Sequence, residues 1–545
     1  MIDLNELKEK YFNLLNWLRG DKSCRIFIEH NKKIFSSVPN KKADKFIVLL
    51  ELNDMHSSII AYSYLANVLS SFYGAEIIAY VPDFPTSWKR MLAWHMRRRL
   101  NMDVFAIYKS FGTKGFLLPT LNKKQCKKAE CLFKGILENL KTISDVESVV
   151  IDGVHIGDLI YDSYLKYYER PTIEINDKDF HVSLFKTVKL FVFWQDYIKN
   201  HNVSAINVSH CVYNTALPVR IAINEGVSVF QANATHVYRL SKKNNFAYND
   251  VKYYKERFSA LPVEVRDAGL KVAERRINER FSGKIGIDMS YSTKSAYGEF
   301  KEERLIAKSD RKKILIAAHC FFDSPHSYGV NLFPDFYEWL DFLGSTSEET
   351  DYDWYIKTHP DYVSKTKEII ELFVSKYKKF NLLPSDSSHN QIIKEGIDVA
   401  LSVYGTIGFE YAAQGIPVIN ASLNNPHIAY NFNLHPRSIE EYKKILVNLE
   451  NLSLTIDKKD VYEYYFMKNI YNTEDWLFSD YAKMIKDVGG YREQFSSKVY
   501  AVWLHGFNVN SHQETIKALS KFVESEDFRL NHHHSNRKFN MKKVA

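Results

Sequence analysis

Cysteines are scarce in this chain, and the few present do not form the patterns of a disulfide framework or a zinc site. The five cysteines are odd in number and include no Cys-x-x-Cys pair. Both kinds of site are therefore disfavoured, and a reducing cytoplasm is the expected compartment. No apolar run approaches the ~20 residues that a membrane-spanning helix needs. The charged N-terminus shows no signal peptide, so the expectation is a soluble protein that could still associate with a membrane.

Two further features are missing, and each excludes a class of partner. The net charge of +8 is modest for 545 residues and is spread along the chain, so nucleic acid is not an expected partner. No Gly-x-Gly-x-x-Gly follows the first apolar strand, which disfavours a dinucleotide. No cofactor is therefore expected.

What is present is a double series of apolar strands alternating with helices. The first series opens at 45–52 and continues with strands at 74–81, 149–151, 205–208 and 227–230 and a helix at 217–224. The second opens at 313–318 and continues with strands at 354–357, 399–401 and 417–419. A stretch of mixed charge at helical spacing from about 253 to 280 and a polar stretch from about 282 to 310 lie between the two series. Such alternation predicts the α/β class with two Rossmann-like domains facing a central cleft. The expected divisions are a first Rossmann-like domain at 1–295, a second Rossmann-like domain at 296–475, helices that could pack back on the junction at 476–530, and a disordered basic tail at 531–545.

The stretch 399–420 reads as a strand, a turn of small residues, a helix and a second strand. Glycines and hydroxyls in the turn would allow the backbone to approach a phosphate, towards which the helix would point its first amides. The next turn of the helix would bring a carboxylate to a sugar hydroxyl. The expected nucleotide-binding residues here are Ser402, Gly405, Thr406, Gly408 and Glu410.

Two more strand ends of the second series carry polar side chains. Lys357, His359 and Pro360 end one strand and could hold a phosphate leaving group, although a strand-end histidine can also be satisfied by a backbone carbonyl. His319, Asp323 and Ser324 follow another strand and are expected to contact the donor, although Asp-Ser-Pro is also turn chemistry. A metal held by His319, Asp323 and His326 matches no standard spacing, so no metal is expected.

These motifs together resemble those of a known family. Lys357-Thr358-His359-Pro360, Ser402-x-x-Gly405-Thr406-x-Gly408-x-Glu410 and Gly415-x-Pro417-Val418 are similar to motifs of GT-B glycosyltransferases of capsule and surface polysaccharides, in particular the bacterial Kdo- and sialic-acid-type enzymes that use CMP-sugars. The resemblance covers 313–421 well and the first half loosely. It implies the GT-B fold, with the domain at 1–295 on the acceptor side and the domain at 296–475 holding the nucleotide-sugar donor. It also implies His359, Ser402 and Thr406 on the donor phosphate and Glu410 on the ribose, although a carboxylate in the first turn of a helix is also favoured by the helix dipole.

The family places a carboxylate base in an acidic-acidic-Gly motif of the N-terminal domain. Here Ile151 stands at the first acidic position, so the match is partial. Asp152 or Asp158 could deprotonate the acceptor, but Asp152-Gly153 is also a plain turn and Asp158 a plain helix cap. His210 at another strand end is a third candidate base, or a buried and satisfied histidine.

Two segments of the first half could face the acceptor or a membrane. Asp54 and His56 open the first crossover helix, where the loop of GT-B proteins commonly faces the acceptor, so the resemblance implies that they bind acceptor. The neighbouring Asn and Ser residues also suit plain helix capping. Trp88–Leu100 mixes aromatic and cationic residues at helical spacing and could dock on an anionic membrane. The alternative is a solvated basic face over a packed apolar one.

The resulting interpretation is a metal-independent glycosyltransferase. It would move a sugar from a nucleotide-sugar, a CMP-ulosonic acid before a UDP-sugar, to a glycan or lipid-linked glycan of bacterial capsule or lipopolysaccharide. It would work in the cytoplasm, where the inner face of the membrane presents lipid-linked acceptors. The alternatives are a nucleotide-sugar epimerase of the same fold and a non-catalytic protein of polysaccharide binding or assembly.

Overall fold

Two open sheets of mainly parallel strands form the framework of the molecule. The computed structural model describes residues 21–35, 46–285, 287–288, 294–359, 364–471 and 476–535. The predicted α/β class with two Rossmann-like sheets is confirmed. The strands are β1 (Phe46–Glu51), β2 (Glu76–Tyr80), β3 (Gly115–Leu117), β4 (Val150–Ile151), β5 (Val154–His155), β6 (Asn202–Val208), β7 (Ser228–Ala232), β8 (Val237–Leu240), β9 (Lys313–Ala317), β10 (Asp353–Lys357), β11 (Phe380–Leu382), β12 (Val399–Ser402) and β13 (Val418–Asn420).

The strand order is the same in both sheets, except for one added edge strand. The first sheet runs β3-β2-β1-β6-β7-β8 and the second β11-β10-β9-β12-β13. All neighbours are parallel except β7 and β8, which pair antiparallel through Val229 and Leu240. The order therefore reverses between β1 and β6, and again between β9 and β12. Ligands of open parallel sheets bind at the carboxyl ends of the strands at such reversals.

Helices cover the faces of both sheets. They are α1 (Lys22–Phe35), α2 (His56–Tyr73), α3 (Trp88–Arg99), α4 (Val104–Ser110), α5 (Lys123–Asn139), α6 (Ile143–Glu147), α7 (Gly157–Tyr168), α8 (Lys178–Asn200), α9 (Leu217–Asn224), α10 (Tyr254–Ser259), α11 (Val263–Phe281), α12 (Phe336–Ser347), α13 (Ser364–Lys376), α14 (His389–Glu395), α15 (Ile407–Ala413), α16 (Ile439–Leu446), α17 (Lys458–Tyr465), α18 (Tyr481–Val488), α19 (Lys498–Gly506) and α20 (Val509–Glu524). Among these described helices, none has the length and apolar character to cross a bilayer.

The C-terminal helices pack on the first half of the chain. Their apolar side chains share one core with α2 and β1, including Leu519 and Phe522. Polar bonds reinforce the contact, since Trp476 Nε1 donates to Asn233 O at 3.0 Å and Ser57 Oγ donates to Gln494 at 2.7 Å. α2 is consequently buried on nearly all sides, and it ends where Gly74 adopts a left-handed conformation with φ 63°. The chain thus returns to its first half after completing the second sheet.

Three local features differ from the sequence-based expectations. Val149–Ile151 was expected as a strand of the first half, but Val150–Ile151 pairs only with β5, in a small antiparallel hairpin outside the main sheet. The charged segment after Tyr253 divides into α10 and α11, which share a core with Phe409 of the second half. Residues 531–535, within the tail expected to be disordered, contain a short 3-10 turn at His532–His534. Residues 536–545 of that tail lie outside the described residues.

Candidate functional site

His319 and Ser402 meet at the point where the strand order of the second sheet reverses. His319 follows β9 and Ser402 ends β12, and these two strands are parallel neighbours. His319 Nε2 lies 3.1 Å from Ser402 Oγ. The backbone N–H of Val403 also donates to this nitrogen at 3.1 Å, and the ring stacks on Phe336 with centroids 4.5 Å apart. Burial lowers the pKa of His319 to about 4. The ring is therefore neutral at pH 7 and organises the turn as a hydrogen-bond acceptor.

The turn after β12 is tightened by its own side chains. Gly405 N donates to Ser402 Oγ at 3.0 Å, and a Cβ at Gly405 would lie only 2.8 Å from that oxygen. Thr406, which precedes α15, is exposed and its side chain makes no capping bond. The Ser402 hydroxyl thus takes part in the fold of the turn, whereas Thr406 is the exposed hydroxyl of this segment.

Gly408 is needed for close packing inside the second half. A Cβ at this position would lie 2.3 Å from Cε1 of His427 and 2.8 Å from Nδ2 of Asn433. Real Cβ atoms do not approach so closely, so any larger residue would displace a fully buried histidine. The glycine spacing that predicted a phosphate turn therefore has a packing cause at this position.

Glu410 lies buried one turn into α15 and is fully engaged. Its Oε1 accepts from Arg280 Nη2 at 2.6 Å and Nε at 2.8 Å, and its Oε2 accepts from the Tyr297 hydroxyl at 2.9 Å. Arg280 lies in the last turn of α11, so the pair ties this helix to the helix after the turn. The sequence offered no signal for this pairing, because 130 residues separate the partners.

Lys357 is a buried cation at the carboxyl end of β10. Its Nζ donates to the carbonyl oxygens of Ser385 at 3.0 Å and Thr358 at 3.4 Å. Within the described part of the chain, no carboxylate lies within 4.0 Å of it. Burial lowers the pKa of Lys357 to about 8, against the opposing effect of Asp386 and Glu410. The lysine therefore remains largely charged at pH 7 without a direct acidic partner.

Two histidines lie near this lysine. His389 is buried and its Nδ1 lies 2.8 Å from the Tyr411 hydroxyl, while His359 is exposed. Burial, together with the nearby Lys357 and His359, holds the pKa of His389 well below its usual range. Pro360 lies outside the described residues. This edge of the second sheet thus carries positive charge and neutral imidazole, a combination suited to an anionic group.

The matching edge of the first sheet carries the predicted acceptor residues. Glu51 ends β1 and accepts from Ser209 N at 2.8 Å and Ser209 Oγ at 2.5 Å. Burial raises the pKa of Glu51 to about 7. His210, the next residue, is exposed, as is Asp54 beyond β1. His56 lies further inside, where its ring stacks on Tyr500 of α19 at 4.6 Å.

Asp152 and Asp158 lie in different settings. Asp152 occupies the hairpin turn between β4 and β5 with φ 49°, and its half-exposed side chain accepts from Gln195 at 2.9 Å. Asp158 lies in the first turn of α7 and is buried against Arg220, with 2.5 Å between Oδ2 and Nη2. Although burial opposes it, Arg220 lowers the pKa of Asp158. Asp158 is therefore an ionised partner in a buried pair.

Polar side chains also join the two halves directly. Tyr213 donates to Asp323 Oδ1 at 2.8 Å, and Tyr161 of α7 donates to Asp335 at 2.5 Å. His326 is buried between Asp162, at 2.6 Å from Nδ1, and Glu147, at 3.1 Å from Nε2.

The loop that follows β9 therefore bridges to the first half. Ser324 N donates to Asp323 Oδ1 at 2.9 Å, and Ser324 O accepts from the Tyr404 hydroxyl at 2.8 Å. From the sequence, His326 was expected only as a possible metal ligand. Its partners Asp162 and Glu147 lie 164 and 179 residues away along the chain, so the sequence offered no signal for this pairing.

One group of the described residues has the side chains and spacing to hold a metal ion. Asp527 Oδ2 lies 2.8 Å from His533 Nε2 and 3.0 Å from His534 Nε2. The group belongs to the C-terminal segment and shares no residue with the candidate site.

No family model and no curated protein matches the chain. Solved structures match the chain at low similarity. The β-Kdo 2,4 transferase KpsC of Thermosulfurimonas dismutans is 9% identical with a TM-score of 0.29, over 48% of this chain and 79% of that one. UDP-GlcNAc 2-epimerase from Neisseria meningitidis, bound to UDP-GlcNAc, is 12% identical with a TM-score of 0.22, over 78% and 95%. The wall teichoic acid polymerase TagF is 10% identical with a TM-score of 0.22, over 87% and 96%. At these values a functional conclusion has to come from the residues of this chain.

Proposed function

We propose that the protein is a GT-B-type glycosyltransferase that moves a sugar from a nucleotide-sugar to a growing bacterial surface glycan. A CMP-ulosonic acid is the preferred donor and a UDP-sugar the next. The observation that carries the proposal is Lys357, a buried cation without a carboxylate partner among the described residues, at the carboxyl edge of the second sheet. An anion that binds there would supply the missing charge.

The donor would lie across the carboxyl ends of β9, β10 and β12. Lys357 would neutralise the charge that develops on the nucleotide phosphate as the bond to the sugar breaks, with His359 and the exposed hydroxyl of Thr406 beside it. Because protein cations supply this charge, the reaction needs no metal ion, and the nucleotide serves as substrate with no further cofactor. Glu410 would help to shape the site through its ion pair with Arg280. A ribose could contact the Glu410 carboxylate only beside that pair.

The acceptor would approach from the edge of the first sheet. Of the three candidate bases, His210 fits best, because it is exposed at the carboxyl end of β6, whereas Asp158 is paired with Arg220. Partial desolvation lowers the pKa of His210, against the opposing effect of Asp323, so the ring is neutral near pH 7 and can accept a proton. The acceptor would be a glycan or lipid-linked glycan of capsule or lipopolysaccharide, met at the inner face of the cytoplasmic membrane.

Calorimetry with CMP, CDP and UDP tests the donor site. We expect one nucleotide to bind preferentially in the presence of EDTA, and Lys357→Met to weaken it by about tenfold to a hundredfold, the worth of a charge-assisted hydrogen bond. Lys367→Met is the matched control, since that lysine is 73% exposed on α13. If none of the three nucleotides binds, the proposal is wrong.

A second measurement separates transfer from epimerisation. A transferase consumes the donor only when a glycan acceptor is added, whereas an epimerase interconverts the donor sugar alone. Donor turnover that depends on acceptor and falls at least a hundredfold in His210→Ala supports the proposed base. Nucleotide binding without any turnover would instead favour a non-catalytic assembly protein.

A further inference from the structure

Helix α3 stands on the surface with its large apolar side chains in solvent. None of its twelve residues is buried. Trp88 is 67% exposed, Leu92 60%, Met96 45% and the following Leu100 54%. Residues four apart lie above one another on a helix, so these four side chains form a single stripe along its outer face. Soluble proteins rarely leave such a stripe uncovered unless it is an interaction site.

The inner face of α3 explains how the helix is attached to the protein. Trp94 packs edge-on against Phe105 with centroids 5.5 Å apart, and the guanidinium of Arg98 lies 5.2 Å from the Trp94 ring. The side chain of Ser87 caps the first turn by accepting from Arg90 N. The orientation of the helix is therefore fixed by its own anchor, and the stripe faces outwards.

Cations flank this stripe, and the helix itself carries no acidic residue. Lys89, Arg90, Arg97 and Arg99 are exposed. Among the described residues, Arg97 forms an ion pair with Asp103 at 2.8 Å and the other three form none. Between Phe84 and Met102 the sequence contains no aspartate or glutamate. An apolar groove on a protein partner would contact the stripe alone and would give the flanking cations no role in binding. Tryptophan and leucine beside arginines suit the boundary between acyl chains and anionic headgroups.

We propose that α3 and Leu100 form a docking surface for an anionic phospholipid bilayer. Trp88, Leu92 and Met96 would enter the interface while the flanking cations lie among the headgroups. α3 follows β2, whose last residue Tyr80 pairs with Glu51 at the end of β1. The bilayer would therefore meet the molecule beside the acceptor edge of the first sheet. Exposure and charge support this docking surface, whether or not the protein transfers a sugar.

Flotation of the full-length protein with lipid vesicles tests the docking surface. We expect binding to phosphatidylcholine vesicles that contain phosphatidylglycerol, weaker binding in high salt, and no binding to phosphatidylcholine alone. The double variant Leu92→Ser with Met96→Ser should bind at least tenfold more weakly while its circular dichroism stays unchanged. Leu372→Ser is the matched control, because that leucine is 70% exposed on α13 and should bind as the wild type does.

Tryptophan fluorescence supplies a second measurement that does not depend on the folding of a serine variant. Emission should shift to shorter wavelength when vesicles are added, and Trp88→Phe should remove most of the shift. Equal binding to both vesicle types, binding that survives the double substitution, or no binding to either vesicle would each overturn the proposal. Calorimetry with nucleotide on the same protein separates such a failure from a failure of the proposed donor site.

Discussion

The carboxylate of Glu410 is paired with the guanidinium of Arg280, with 2.6 Å between Oε1 and Nη2. Both side chains are largely shielded from solvent, and Tyr297 donates to the second carboxylate oxygen at 2.9 Å. The negative charge of Glu410, one turn into the helix that follows the β12 turn, is therefore already compensated. The positive charge of Lys357 remains for a ligand, which is why the lysine carries the functional proposal.

Glu410→Gln should destabilise the fold more than it weakens nucleotide binding. The substitution leaves Arg280 buried without its counter-charge, at a cost of about 3–5 kcal/mol in the free energy of unfolding. Urea unfolding measures this loss. Glu371→Gln on α13 is the control, because its pair with Lys367 is exposed and should change stability by less than about 1 kcal/mol. Unchanged stability combined with lost nucleotide affinity would show that Glu410 binds the ligand directly.

Nucleotide affinity should fall as the pH rises above 8. Burial lowers the pKa of Lys357 to about 8, so the free protein loses this charge between pH 7 and pH 9. At pH 9 about one tenth of the lysine remains charged, which predicts a roughly tenfold weaker affinity than below pH 8. Calorimetry across this range checks the slope.

The same titration of Lys357→Met is the control for this pH dependence. Its profile should be flat, because the titrating group has been removed. A wild-type profile that is also flat would show that Lys357 does not contact the nucleotide.

The framework of the fold could be predicted because parallel strands produce continuous apolar runs. β1, β2, β9, β10 and β12 all lie where the sequence placed strands, and α9 spans the predicted Leu217–Asn224. The hairpin of β4 and β5 could not be predicted, since two-residue strands have no periodicity. Short strands such as β11 could not be predicted for the same reason.

The positions of the site residues could be predicted from the sequence, but most of the residues that they contact could not. Strand ends located His319, Lys357 and Ser402 at one edge, because the carboxyl ends of parallel strands converge. The partners of these side chains come from distant segments: Arg280 for Glu410, and Asp162 for His326. A single sequence contains no signal that links such residues. The motif around Gly408 also mixed two causes, since a glycine for close packing looks the same as a glycine for phosphate approach.

Gly408→Ala should lower stability by about 1–3 kcal/mol through overpacking. The added methyl group would lie 2.3 Å from His427, which is fully buried and cannot move aside freely. Thermal unfolding gives the difference. Gly135→Ala is the matched control, because nothing lies within 4 Å of its added Cβ in helix α5, and alanine there should stabilise the helix by up to about 1 kcal/mol. Equal effects of the two substitutions would contradict the packing explanation.

His326→Gln should weaken the junction between the two halves. The histidine bridges Asp162 at 2.6 Å and Glu147 at 3.1 Å, and its loss would leave a buried aspartate without its counter-charge, at about 3–5 kcal/mol. Although burial opposes it, Asp162 and Glu147 raise the pKa of His326. The stabilisation is then fully present below the unfolded-state pKa of about 6.5, and it is lost as the pH rises through the higher folded-state value.

Urea unfolding of wild type and His326→Gln at several pH values checks this sign. The difference in unfolding free energy should be largest near pH 6.5 and should shrink as the solution becomes more alkaline. His155→Gln is the control, since that side chain is 48% exposed and lies 3.5 Å from Asp158 without bridging the halves. A difference that grows with pH would show that His326 is held as a neutral ring, because a neutral histidine would stabilise the fold most where the unfolded chain is also deprotonated. The two carboxylates around it favour the charged form, so the alkaline loss is the expected result.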